Sequence, residues 1–131
     1  MKIKVGTYAG AGDNTYVTGV GFEPDFLWVK RSTALIGYIR MSTMPLNQAQ
    51  QISGTLVADE IQRFEPDGFR TGAGNSGAGT NYYLAIRADP RDCKVFSYIG
   101  DGVDSRAFTG IGFQPGFIMI LGVQNASVVV K

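Results

Sequence analysis

VTGVGFEPDFLWVK, Val17 to Lys30, decides the fold of this chain. Gly19 and Gly21 permit backbone angles that a Cβ would forbid. Phe22 is an apolar plug between the glycines and the proline. Pro24 fixes its own φ and biases Glu23 toward extended geometry. Phe26, Trp28 and the residues between them read as a buried strand. The stretch is a turn that launches a core strand. It returns as FTGIGFQPGFIMIL from Phe108, where Gly110, Gly112, Phe113, Pro115 and Phe117 stand for Gly19, Gly21, Phe22, Pro24 and Phe26.

The segments around the launcher read as short strands and turns. Lys2 to Tyr8 alternates, with Ile3, Val5 and Thr7 opposing Lys4, Gly6 and Tyr8, as a strand with one solvated face does. Ala9 to Asn14 is a glycine turn, Thr15 to Thr18 a short strand, and Ala34 to Met41 another. Ser42 to Gly54 is amide-rich and poor in β-branched residues, so it reads as an ordered loop. Val57, Ile61 and Phe64 fit helical spacing, yet the Pro66-Asp67-Gly68 turn favours a strand at Glu60 to Phe64 paired with Phe69 to Thr71. Gly72 to Gly79 reads as a flexible tip. Asn81 to Ala88 is a clear strand, with Tyr82, Leu84 and Ile86 on one face and Tyr83, Ala85 and Arg87 on the other. The expected fold is all-β, an antiparallel β-sandwich of jelly-roll-like kind with little or no helix.

The repeat is wider than the launcher. KVGTYAGAGD at Lys4 corresponds to KVFSYIGDGV at Lys94, and the offset of 90 becomes 91 from Thr18 and Thr109 onward. Residues 1–93 therefore form one complete unit, and residues 94–131 the first part of a second, homologous one. Val128 to Val130 is a bare apolar strand, and half a unit cannot bury its face alone. Three completions stay open: a longer natural chain, closure onto the first unit's sandwich, or pairing with a neighbouring subunit. The first and third are preferred to self-closure.

Composition narrows the chemistry. Glycine is 18 of 131 residues, against an average usage of ~7%, which suits turns between strands. A net charge of +1 gives no electrostatic case for nucleic acid or an acidic membrane. The absence of histidine removes the commonest general base and metal ligand. Cys93 is the single cysteine, so no intrachain disulfide forms, and it reads as a small apolar residue. No run reaches the ~20 apolar residues of a membrane span, and the first residues lack the apolar core of a signal peptide.

Candidate sites are weighed against plain structural roles. GAGNSGAG lacks the Gly-Lys-Ser/Thr ending of a phosphate loop and reads as a hairpin tip. Asp59 with Glu60, and Glu65 with Asp67, are the acid pairs, both near turns where solvated acids sit. Asp13, Asn14, Asp101 and Asp104 fall in matching glycine turns but follow no calcium-loop spacing, so turn capping is preferred. Arg40, Arg63, Arg70 and Arg87 read as solvated or subunit-contact residues. Aromatic faces suit sugar rings, which makes Trp28 and Tyr82, with loop residues Asn47 and Asn75, the candidate ligand or receptor contacts. No catalytic residue, metal site or cofactor is expected.

The motifs together resemble a β-rich tandem repeat of tailed-phage and prophage virion proteins. The resemblance rests on Lys4 to Gly12, Thr18 to Phe26, Ile39 to Ser42, Ile61 to Phe69 and Asn81 to Ile86. That family includes tail-fibre, receptor-binding, head-decoration and spike components. The resemblance implies a non-enzymatic structural protein on a virion surface, made in the host cytoplasm. Its implied partners are itself, as a homo-oligomer such as a trimer, other virion proteins and a cell-surface glycan. A carbohydrate-binding module of the same β class is the alternative. The resemblance carries over no functional residue.

Overall fold

A computed structural model describes residues 1–32, 36–52, 54–75 and 79–122, and the backbone of 129–130. The described residues form strands and turns without helix, as expected. Two antiparallel sheets pack face to face as a β-sandwich. The larger sheet takes β1 (Lys2–Ala9), β3 (Phe26–Arg31), β4 (Tyr38–Met41), β5 (Gln48–Gln51), β6 (Leu56–Ala58) and β9 (Thr80–Arg87), in the order β1-β9-β3-β4-β5-β6. The smaller takes β2 (Thr15–Val17), β7 (Ile61–Glu65) and β8 (Gly68–Thr71), in the order β2-β8-β7. A separate two-stranded ladder joins β10 (Met119–Ile120) to β11 (Val129–Val130).

Alternation in β3 and β9 positions the core, which corrects the reading of Phe26 to Trp28 as a strand buried throughout: β3 buries Leu27 and Val29, while Trp28 is 36% exposed on the other face. Leu27, Val29, Tyr83 and Ala85 point inward from the larger sheet, with Ala49 from β5, and meet Val17, Ile61 and Phe69 of the smaller one. The Phe69 ring stands edge-on between Tyr8 and Tyr83, at centroid distances of 5.7 and 5.3 Å. Each fully buried side chain of this size contributes about 1.5–3 kcal/mol. Phe22 and Val20 plug the core from the launcher, and Pro24 is buried beside them.

The launcher has an anchor that its own residues do not reveal. Gly19 and Gly21 take φ of 80° and 86°. Those angles turn their N–H groups toward the Asp67 carboxylate, to which they donate at 3.0 and 2.6 Å. The Pro66-Asp67-Gly68 turn thus clasps the launcher as well as joining β7 to β8. At Gly68, a Cβ would overlap the Val17 carbonyl.

Two further readings of the sequence need correction. Ser42 to Gly54 is more than a loop: its amide-rich Gln48–Gln51 segment is β5, paired to β4 on one side and β6 on the other. Pairing on both sides overrides the weak strand propensity there. Arg40 is not solvated. It points into the sandwich from β4 and is buried. Its guanidinium donates to the carbonyls of Pro45 at 2.7 Å, Met44 at 3.4 Å and Gln48, and lies 5.5 Å from the Phe64 ring centroid. It braces the turn that delivers β5. Within the expected strand at Ala34 to Met41, only Tyr38 to Met41 pairs; Ala34 and Leu35 lie outside the described residues.

Candidate functional site

The outer face of the larger sheet is the most distinctive surface. Strict alternation sends Ile3, Val5 and Thr7 of β1 outward. The registers align them in rows with β9 and β3: Ile3 with Ile86 and Phe26, Val5 with Leu84 and Trp28, Thr7 with Tyr82 and Lys30. Ile3 and Val5 are 55% and 67% exposed, and Tyr82 is 53% exposed. The Trp28 indole lies over Gly37, where a Cβ would meet Nε1. Trp28, Lys30, Arg31 and Tyr82 line one shallow depression on this face. An apolar sheet face bordered by cations suits a flat partner or a ring-shaped one.

Trp28 and Tyr82 therefore come together as the aromatic pattern suggested. Asn47 and Asn75 do not join them. Asn47, at φ 57°, accepts from the Asp59 backbone through its side chain and borders a different depression, with Asn14, Leu46, Gln62 and Arg70. Asn75 is 1% exposed, and its carbonyl accepts from the Tyr8 hydroxyl at 3.3 Å. This corrects its reading as a residue of an exposed tip: residues 72–75 turn back onto the chain before β7, with the N–H of Gly72 donating to the Glu60 carbonyl and that of Gly74 to the Asp59 carbonyl. Ser76 to Ala78 lie outside the described residues.

Asn75 belongs to a buried polar cluster at that end of the sandwich. Glu60 reaches into it, held by Tyr38, and a Cβ at Gly74 would collide with its carboxylate. Burial pushes the Glu60 carboxyl above its usual range, while the Tyr38 hydrogen bond and Arg31 act in opposition. Burial also raises the Tyr8 and Tyr38 phenols. Glu60 Oε2, Arg31 Nε, Asn75 Nδ2 and both amide atoms of Asn81 have no hydrogen-bond partner among the described residues. Groups of this kind hold internal water or another polar guest. The sequence singles out Glu60 and Asn75 separately, Glu60 as one of an acid pair and Asn75 as a loop contact, and strand alternation does not say that Tyr8, Tyr38 and Asn81 converge with them.

The other acids have structural partners. Glu65 accepts from Arg63 at 2.8 Å and Arg70 at 2.6 Å. Asp67 is the launcher clasp. Asp13 accepts from Gln62, Asn14 from Arg70, and Asp104 from the Ser105 backbone. Among the described residues, no three His, Cys, Asp or Glu side chains group as metal ligands. Cys93 is half-buried and free, with its backbone N–H bonded to the Asp89 carbonyl and its thiol pushed up by burial.

Fold and surface together define a class: an antiparallel β-sandwich with an exposed apolar sheet face and a buried polar end. Residues 2–85, more than half of the chain, match the profile of a family described as a domain of unknown function, DUF7483, and the chain belongs to that family. The matched span runs from β1 into β9. No curated protein and no solved structure matches the chain.

Proposed function

We propose that this protein is a non-enzymatic virion structural protein, a capsid decoration, spike or tail-fibre module of a phage-like particle that assembles through contacts between identical subunits. The observation that carries this reading is the outer face of β1, β9 and β3. Ile3, Val5, Trp28, Tyr82 and Leu84 lie there in registered rows and stay accessible in the single chain. A flat apolar face of this kind suits the same face or a neighbouring edge of a second subunit. The motif resemblance supplies the virion setting, and membership of a family without assigned function leaves room for it.

The test is the native mass of the purified chain by light scattering, beside a Val5→Lys variant. Val5 is exposed, so the variant keeps its fold. The expected result is an oligomer for the parent chain and a monomer for Val5→Lys. A monomeric parent chain overturns the assembly reading. A carbohydrate-binding module is the second reading, favoured by Trp28 and Tyr82 facing outward from adjacent strands. Glycan binding by the monomer, lost with Tyr82→Ala, would put that reading ahead.

A further inference from the structure

One inward-facing row of the larger sheet is polar. Tyr8 of β1, Asn81 of β9 and Arg31 of β3 stand side by side, because Asn81 is in register with Tyr8 on one side and Arg31 on the other. The neighbouring inward row, Gly6, Tyr83 and Val29, belongs to the apolar core. Across the sandwich the polar row meets Glu60, just before β7, and residues 72–75, just after β8. The Tyr8 hydroxyl donates to the Asn75 carbonyl at 3.3 Å and is hydrogen-bonded to the Thr71 side chain. Tyr38, from β4, is hydrogen-bonded to Glu60.

The turn at 72–75 closes this end tightly. The Gly72 and Gly74 N–H groups donate to the Glu60 and Asp59 carbonyls at 3.1 and 3.2 Å, and the Asn75 N–H to the Gly72 carbonyl at 3.2 Å. A Cβ on Gly72 would overlap the Asp59 carbonyl, and one on Gly74 the Glu60 carboxylate. Only glycine lets the backbone come this close. Asn75 and Asn81 are shut away from solvent as a result, at 1% and 0% exposure.

Five buried atoms at this end have no hydrogen-bond partner among the described residues: Arg31 Nε, Asn75 Nδ2, Asn81 Nδ2, Asn81 Oδ1 and Glu60 Oε2. Native chains leave few such groups unmade, because each is costly when buried. The first three only donate; Asn81 Oδ1, and Glu60 Oε2 when ionised, only accept. A bound anion would serve the three donors and face the Glu60 carboxylate. A bound cation would serve the two acceptors and face the Arg31 guanidinium. A guest that answers all five must donate and accept, and Arg31 and Glu60 already balance each other's charge. Water has this chemistry. A buried water makes about three hydrogen bonds, so five atoms call for about two of them.

We propose that this end of the sandwich is an internal water site. About two long-lived waters bridge Asn81 and Arg31 to Glu60 and Asn75, and so fasten the 72–75 turn to the larger sheet. The direct bond from that turn to the polar row is the Tyr8 contact, which is long for a hydroxyl donor. The waters supply the rest of the attachment. The site lies inside one unit, away from the outer face of β1, β9 and β3, and does not depend on assembly or on glycan binding.

The test uses the whole chain with isotope-labelled asparagine, and reads magnetisation transfer from water to the side-chain amides by NMR. The expected result is transfer of opposite sign in the laboratory and rotating frames at Asn75 and Asn81, the mark of a water that stays for longer than a nanosecond. Exposed Asn14 should show the like-sign transfer of bulk water. Relaxation dispersion of the solvent should count about two more long-lived waters in the parent chain than in Asn81→Leu, which fills the space with an apolar side chain. In that variant the amides of Gly72, Gly74 and Asn75 should exchange about tenfold faster, the size of one lost hydrogen-bonded link, with β4 amides unchanged. Like-sign or absent transfer at Asn75 and Asn81 overturns the proposal, and this reading on the parent chain stands even where the variant does not fold. Chloride or sodium line broadening that the parent shows and Asn81→Leu lacks also overturns it, by placing an ion at the site. Unchanged turn exchange in a folded Asn81→Leu overturns the fastening role.

Discussion

Gly6 lies directly opposite Tyr83 in the β1–β9 ladder, and the tyrosine ring occupies the space that a side chain at residue 6 would need. The two positions share one volume. Gly6→Phe should destabilise the first unit by about 1–3 kcal/mol through overpacking. Tyr83→Gly should cost about 3–5 kcal/mol by emptying the core around Phe69. Because a ring at residue 6 would enter the space emptied at residue 83, the double variant should lose less than the sum of the two. Denaturant unfolding of the four proteins measures this coupling; strict additivity would show that the positions are independent.

Asp67 holds two glycine N–H groups, and these bonds depress its carboxyl below the usual range, with Gly19 the larger cause and Gly21 the next. A depressed folded value means that the contribution to stability is full above the ordinary aspartate value and fades as pH falls through the folded one. Asp67→Ala should lower the melting temperature at pH 7. Its loss of stability on acidification should be shallower than that of the parent chain below about pH 4. Parallel acid limbs for the two proteins would contradict the clasp.

Glu60 has the opposite sign. Its carboxyl is raised, first by burial, so the folded chain favours the protonated form. The first unit should therefore gain stability as pH falls through the folded value of Glu60 toward its unfolded one. Glu60→Gln, which removes the charge and keeps an acceptor for Tyr38, should raise the melting temperature at neutral pH and change it little near pH 4. A lower melting temperature at pH 7 would show that the charge is an asset to the fold.

Arg40 satisfies the carbonyls of Met44 and Pro45 in the turn before β5 and of Gln48 at the start of β5. Arg40→Met keeps the apolar stem and leaves those carbonyls without their donor, at about 1–3 kcal/mol for a buried group left unmade. Amide exchange should show β5 and β6 losing protection before β3 and β9. Uniform loss across the larger sheet would mean that Arg40 supports the core as a whole.

The parts of this fold legible in the sequence are those where one residue's geometry decides the outcome. The glycine pair and Pro24 mark the launcher, and alternation in residues 81–88 separates the two faces of β9, although the more apolar set, Tyr82, Leu84 and Ile86, is the outward one. Turn chemistry at Pro66-Asp67-Gly68 places β7 and β8 as neighbours. Illegible parts are set by contacts distant in sequence. Gln48 to Gln51 have little preference for a strand and become one because β4 and β6 flank them. Arg40 looks like any surface arginine until the turn at Met44 to Gln48 wraps its guanidinium. For the site, strand period puts Tyr82 on one face of β9 but does not say that this face, with Trp28, is the outward one, and the burial of Asn75 depends on the contacts of residues 72–75 with Asp59, Glu60 and Tyr8.

The place of β1 in the larger sheet bears on the order in which the chain acquires structure. β1 leaves the ribosome ahead of the rest of its sheet, yet its partner β9 begins only at Thr80, and the ladder joins Lys2 to Arg87. The β3–β4 and β7–β8 hairpins close short loops and can form early, whereas β1 must wait for nearly the whole unit to emerge. During that wait Ile3 and Val5 have no sheet beneath them, and the two lysines of β1 are the only charged side chains on that strand to discourage wrong pairings. The strand of this sheet that is made first is thus among the last to be fixed in place.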